Sequence, residues 1–201
     1  MSDRPLIAHS LAEVYLYLMV TPCGNCGRGP LQGSDARAQE GDWGMGLVVD
    51  VTCGACKDES QLGFQVPVDK LAAATELPAD AVATVNQTDE PSSIIDVVGW
   101  VTLFGVIGEA ATKTANKVEA RKLGCEAAQC LEEALKFYDD DNDLPPDRAF
   151  FSDASRRHYR DHPHKLARTR LIDLRAKLPA LDAMQRQLAR VMKRCWWKPW
   201  A

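Results

Sequence analysis

Apolar residues at Leu11, Val14, Tyr15 and Leu18 recur at the three- and four-residue spacing of one helical face, which predicts a helix within residues 6–20. Thr21-Pro22 stops it, because proline lacks the backbone donor that a helix interior needs. The period then changes from helical to alternating. Leu47, Val49 and Val51 share one face of a predicted strand, and Leu62, Phe64, Val66 and Val68 repeat the pattern a little further on. Residues 33–46, polar and rich in turn formers, read as a loop. Beyond residue 90 the helical period returns. Ser93-Ile-Ile-Asp96 has the form of a helix start, followed by a wide apolar face of Val97, Trp100, Val101, Phe104 and Ile107. Gly99, Gly105 and Gly108 lie within that helix and would each cost about 1 kcal/mol relative to alanine at an exposed site, so they are expected to admit a close neighbour.

A second helix is predicted over residues 118–138, with Leu123, Ala127, Cys130, Leu131, Ala134 and Tyr138 facing inward to form an antiparallel hairpin with the first. The acidic run from Asp139 to Asp143 ends it and places negative charge where the helix dipole disfavours it, so a cation from the basic C-terminal region is expected nearby. From Leu171 the apolar positions 171, 174, 178, 181, 188, 192 and 195 describe two basic amphipathic helices meeting at Pro179. The fold class expected is α+β. A helix and a small β ribbon occupy residues 1–68, a helical hairpin domain residues 69–145, and basic helices with a tryptophan-rich end residues 146–201.

The candidate chemistry sits in the ribbon. Cys23-Gly-Asn-Cys26 and Cys53-Gly-Ala-Cys56 are matched C-x-x-C turns separated by 26 residues, the pattern that closes one tetrahedral tetrathiolate site. They resemble the zinc-ribbon and rubredoxin-like class over residues 22–68. In that class the knuckles commonly read C-P-x-C-G; here Gly27 keeps the glycine after the first pair, Gly24 and Gly54 stand at the proline positions, and Lys57 follows the second pair. The resemblance implies a structural zinc on Cys23, Cys26, Cys53 and Cys56. Iron, as in rubredoxin-like electron transfer, is the alternative metal. Cys125, Cys130 and Cys195 form neither a knuckle nor a disulfide framework, which fits a reducing compartment.

Charge divides the chain. Residues 1–150 carry 11 Lys and Arg against 24 Asp and Glu, whereas residues 151–201 carry 13 against 4. The ribbon is itself acidic, so phosphate binding there is disfavoured. A nucleic-acid interface would instead use Arg156, Arg157, Arg160, Arg168 and Arg170, with Lys165 and Arg175 beside them and Tyr159 to stack on bases. His158, His162 and His164 lie among these arginines, which repel a cation, so they read as surface or capping residues. Trp196, Trp197 and Trp200 at the end of the basic helices point to an unidentified protein partner. No catalytic constellation stands out, and the N-terminus lacks the pattern of a secretory signal. A non-enzymatic, cytoplasmic zinc-ribbon protein acting as an interaction or adaptor module is the expectation.

Overall fold

The computed structural model describes residues 5–41, 44–67 and 84–179. The class is α+β, with the strands preceding a helical region. A short strand β1 (Leu6–Ile7) leads into helix α1 (Leu11–Val20), and strands β2 (Leu31–Gly41), β3 (Gly44–Cys53) and β4 (Glu59–Gln65) follow. The four strands form one sheet in the order β1-β4-β3-β2. β2 and β4 run antiparallel to β3, while β1 lies parallel to β4 with Leu6 opposite Phe64 and Ile7 opposite Gln65.

The helix expected over residues 6–20 therefore begins later. Ser10 is its N-cap, accepting from the Glu13 backbone N–H at 3.1 Å, and the Glu13 carboxylate reaches back to the His9 backbone N–H. This is close to a capping box, and it satisfies one oxygen of Glu13, which lies fully buried on the inner face beside Val14 and Leu18 with its other oxygen unpartnered among the described residues. Tyr15, expected on that face, is exposed instead.

Residues 33–46, expected to be a loop, belong largely to β2 and β3. β2 is an edge strand whose residues from Gln32 to Glu40 are all exposed, so no apolar alternation marks it in the sequence. Its order comes from backbone pairing to β3, with a register shift between Gly33 and Ala36. Leu47, Val49, Val51 and Phe64 form the buried face of the sheet under α1, as the alternation predicts. Val68 lies outside the described residues.

Helices α2 (Val97–Lys113) and α3 (Lys117–Leu135) form the expected hairpin. The cap of α2 is Asp96, which accepts from Gly99 N–H at 2.8 Å; Ser93 instead donates to the Ile7 carbonyl, tying the hairpin to β1. Val97, Trp100, Leu103 and Ile107 are the buried stripe, while Val101 and Phe104 lie at its margin. Among the three glycines only Gly99 is tight, since a Cβ there would lie 2.8 Å from Ile95 Cγ2. Gly105 and Gly108 face open space.

α3 is buried on more than the one predicted face. Gln129 accepts from the Val85 N–H at 3.0 Å, and Glu133 accepts from Asn86 at 3.1 Å and from Lys136 at 2.6 Å. Gln129 and Glu133 thus find partners at Val85 and Asn86 and at Lys136 beyond the helix end, and the Val85 carbonyl also accepts from Ser10 Oγ at 2.6 Å.

α4 (Asp153–Asp161) and α5 (Arg168–Ala176) complete the described fold, with single 3-10 turns at Asp147–Ala149 and Pro163–Leu166. The expected compensation of the acidic run is present. Arg148 pairs with Asp139, Arg168 lies 3.6 Å from Asp140, and Asp143 accepts from the Thr169 N–H at 2.7 Å, standing in for the side-chain cap that α5 lacks. Leu171 is buried against the hairpin and Leu174 and Leu178 pack at its edge. The second basic helix, from 181 onward, lies outside the described residues. One hydrophobic cluster runs from the sheet through Leu18 and Trp100 to Leu131, Leu166 and Leu171.

Candidate metal centre

α1 ends directly before the first knuckle, and β3 runs into the second, so two packed elements deliver Cys23 and Cys53 to the same place. The two turns close alike. Gly27 N–H donates to the Cys23 carbonyl at 2.8 Å and Lys57 N–H to the Cys53 carbonyl at 3.0 Å. Cys23 N–H donates to the Arg28 carbonyl and Cys53 N–H to the Asp58 carbonyl, at 2.6 and 2.9 Å. Gly27 and Lys57 both adopt the left-handed backbone, with φ of 67° and 63°. The glycine of the family pattern thus has a backbone reason, and Lys57 occupies the same conformation at a cost of about 1–2 kcal/mol. Cross-ties hold the knuckles together: Gly54 N–H donates to the Pro30 carbonyl at 2.9 Å, and the Asn25 amide donates to Asp58 at 3.3 Å.

The four Sγ atoms all lie within 4.8 Å of one another. Cys23 to Cys56 and Cys26 to Cys53 are each 3.7 Å apart. A disulfide bond is about 2.05 Å long. The edge of a tetrahedron with zinc–sulfur arms of 2.3 Å is about 3.8 Å. The donor set therefore fits a thiophilic ion.

The thiols of the second knuckle are held unequally. Cys53 is pushed down to about 6, chiefly by a backbone hydrogen bond from Cys56 and further by the Ala55 N–H, against the effect of burial. Cys56 is pushed up to about 12: the Asp58 backbone pulls it down, but desolvation of its sulfur within the cluster, on a residue otherwise exposed, and the thiols of Cys26, Cys53 and Cys23 outweigh that. Four thiolates this close repel one another, and a bound cation is what lets all four ionise. Cys23, Cys26, Cys53 and Cys56 would fill a tetrahedral shell and leave no position for water or substrate. Cys23 and Cys53 are buried, Cys26 is half-buried and Cys56 is exposed at the surface of the site.

The remaining cysteines are of a different kind. Cys125 and Cys130 are buried on α3 and form no disulfide, with burial raising both thiols, while Cys195 lies outside the described residues.

The residues proposed for nucleic acid separate into two sets. Arg156 donates to the Phe150 carbonyl and pairs with Asp153, Arg168 pairs with Asp140, and Arg175 binds Glu132, so these three are engaged internally. Arg157, Arg160, Lys165 and Arg170 are exposed and make no ion pair among the described residues. Tyr159 stacks on Phe150, with ring centroids 4.9 Å apart, and is not presented for base stacking. His158, His162 and His164 form a chain of ring contacts at 5.2 and 6.3 Å, and burial, then His162 and Lys165, lowers the pKa of His158. Trp196, Trp197 and Trp200 lie outside the described residues. Among the described residues no helix is long and apolar enough to cross a membrane.

Compared with protein-family models, curated proteins and solved structures, the chain matches none of them.

Proposed function

We propose that the four-cysteine cluster is a structural zinc site and that the protein is a non-enzymatic interaction module. The observation that carries the first half is the closed donor set: two thiol pairs 3.7 Å apart, gathered from two knuckles that share one hydrogen-bond pattern. A metal with four protein thiolates around it holds the ribbon together and has no open position for chemistry. The second half rests on Trp196, Trp197 and Trp200 at the end of a basic segment, because clustered tryptophans are the side chains most enriched at binding hot spots. Iron in the same cluster is the rubredoxin-like alternative, and it would colour the protein red.

Metal analysis of protein purified without chelator is expected to find about one zinc per chain, and Cys53→Ser is expected to abolish it. Deleting residues 180–201 is expected to leave the fold and metal content unchanged while removing partner binding. A fall in melting temperature on that deletion would instead assign the segment to internal docking. Nucleic-acid binding is the second reading, and the exposed Arg157, Arg160, Lys165 and Arg170 favour it. It predicts an affinity that falls steeply with salt and is lost when Arg157 and Arg160 are neutralised.

A further inference from the structure

The two edges of the sheet are unequal. β2 forms one edge and carries the usual protections, with Asp35, Arg37 and Glu40 along it and a register shift at Gly33. At the other edge β1 covers only Phe64 and Gln65 of β4. No strand among the described residues pairs with the outer side of Glu59–Gly63.

Backbone direction along that stretch follows from two hydrogen bonds. The Asp58 carbonyl accepts from Cys53 on the β3 side, while the Gln65 carbonyl accepts from Ala8 on the outer side. Alternation along the strand therefore turns the N–H and C=O groups of Glu59 and Gln61 and the N–H of Gly63 outward, away from β3, while the parallel pairing of Leu6 with Phe64 takes up the Gly63 carbonyl. Beside them lies a cavity of about 470 Å³ between β4, the end of α1 and the first knuckle. Leu6, Tyr17, Leu31 and Leu62 give it an apolar floor, and among the described residues Asp58 is the one charged side chain lining it. Glu59, exposed at the end of the open edge, adds a second negative charge and no Lys or Arg falls within residues 58–63.

We infer that the open edge of β4 is a docking site for an extended peptide with alternating apolar and basic residues, which adds as a strand beside Glu59–Gly63. Its backbone takes up the outward groups of Glu59 and Gln61 and the Gly63 N–H, its apolar side chains enter the slot over Leu62 and Tyr17, and its basic side chains meet Asp58 and Glu59. The inference deepens the reading of the protein as an interaction module, but it does not use the tryptophan segment.

The test uses the metal-loaded full chain and an acetylated, amidated heptapeptide alternating lysine and valine, titrated by calorimetry and followed by amide exchange. Saturable binding is expected, with new protection at the Glu59, Gln61 and Gly63 amides. Gly63→Pro removes one outward donor without touching the β3 ladder and is expected to weaken binding about tenfold or more. Glu59→Lys, which leaves the backbone intact, is expected to weaken it with a reduced salt dependence. A peptide with glutamate in place of lysine should not bind. Absence of binding by the lysine peptide, or equal affinity for wild type and both variants, would overturn the inference. So would protection of Gln61 and Gly63 in the peptide-free protein, which would mean that the chain itself or a second copy already covers the edge. If metal analysis or deletion of residues 180–201 contradicts the proposed function while the peptide binds as expected, the docking site stands without that reading.

Discussion

The two knuckles share their hydrogen-bond pattern but not their sequence. Gly27 and Lys57 each donate to the carbonyl of the first cysteine of their turn, and each holds a positive φ. The first knuckle assigns that conformation to the residue that adopts it freely; the second assigns it to a lysine. The turn thus dictates the backbone and the side chain yields to it. The packing differs too: the first knuckle follows a helix, while the second joins two paired strands. A strained residue is easier to hold where flanking strands fix the chain on both sides, as β3 and β4 do around Lys57.

Removing a ligand from either knuckle is the largest perturbation. Cys23→Ser and Cys53→Ser are each expected to release the metal and unfold the ribbon, since structural zinc contributes on the order of 10 kcal/mol to small zinc domains. Metal analysis with circular dichroism melts checks this, and retention of full metal content in either variant would show that the knuckles do not act as one site. Gly27→Lys is next. It copies the second knuckle's strain into the first and, less the unfolded-state entropy that a lysine removes, should cost about 1 kcal/mol in chemical denaturation. The reciprocal Lys57→Gly relieves that strain but adds chain entropy to the unfolded state, leaving a net gain of about 0.5 kcal/mol. An equal and opposite pair of effects would mean that the flanking strands contribute nothing. Asn25→Ala is expected to be the smallest, about 0.5 kcal/mol, because it removes one exposed hydrogen bond between the knuckles.

Much of the molecule is written in its periodicities. The inner face of β3 and β4 at Leu47, Val49, Val51 and Phe64, the hairpin of α2 and α3, and the gathering of Cys23, Cys26, Cys53 and Cys56 all follow from spacing, because each depends on residues whose burial or coordination repeats along the chain. The cation expected for the acidic run also appears, as Arg148 and Arg168, since opposite charges in excess at neighbouring segments find one another.

What periodicity leaves out is pairing between backbones and burial of polar groups. β2 has exposed side chains throughout the stretch from Gln32 to Glu40, so its strand character comes from the ladder to β3 and from nothing in its own composition. β1 is a strand at Leu6–Ile7 because β4 is there to receive it, and Ser93 serves the Ile7 carbonyl rather than the cap of α2 for the same reason. Gln129 and Glu133 are buried because partners far along the chain satisfy them, and Glu13 is buried with one carboxylate oxygen held by the His9 N–H and the other without a partner among the described residues. The cysteine spacing by itself determined that a tetrathiolate site was available, since four thiols in two tight turns need only one approach to close it. Tertiary structure alone decided that Lys57 must take a left-handed backbone and that, among the described residues, no strand pairs with the outer side of Glu59–Gly63, because both depend on which strands lie beside them and not on the residues themselves.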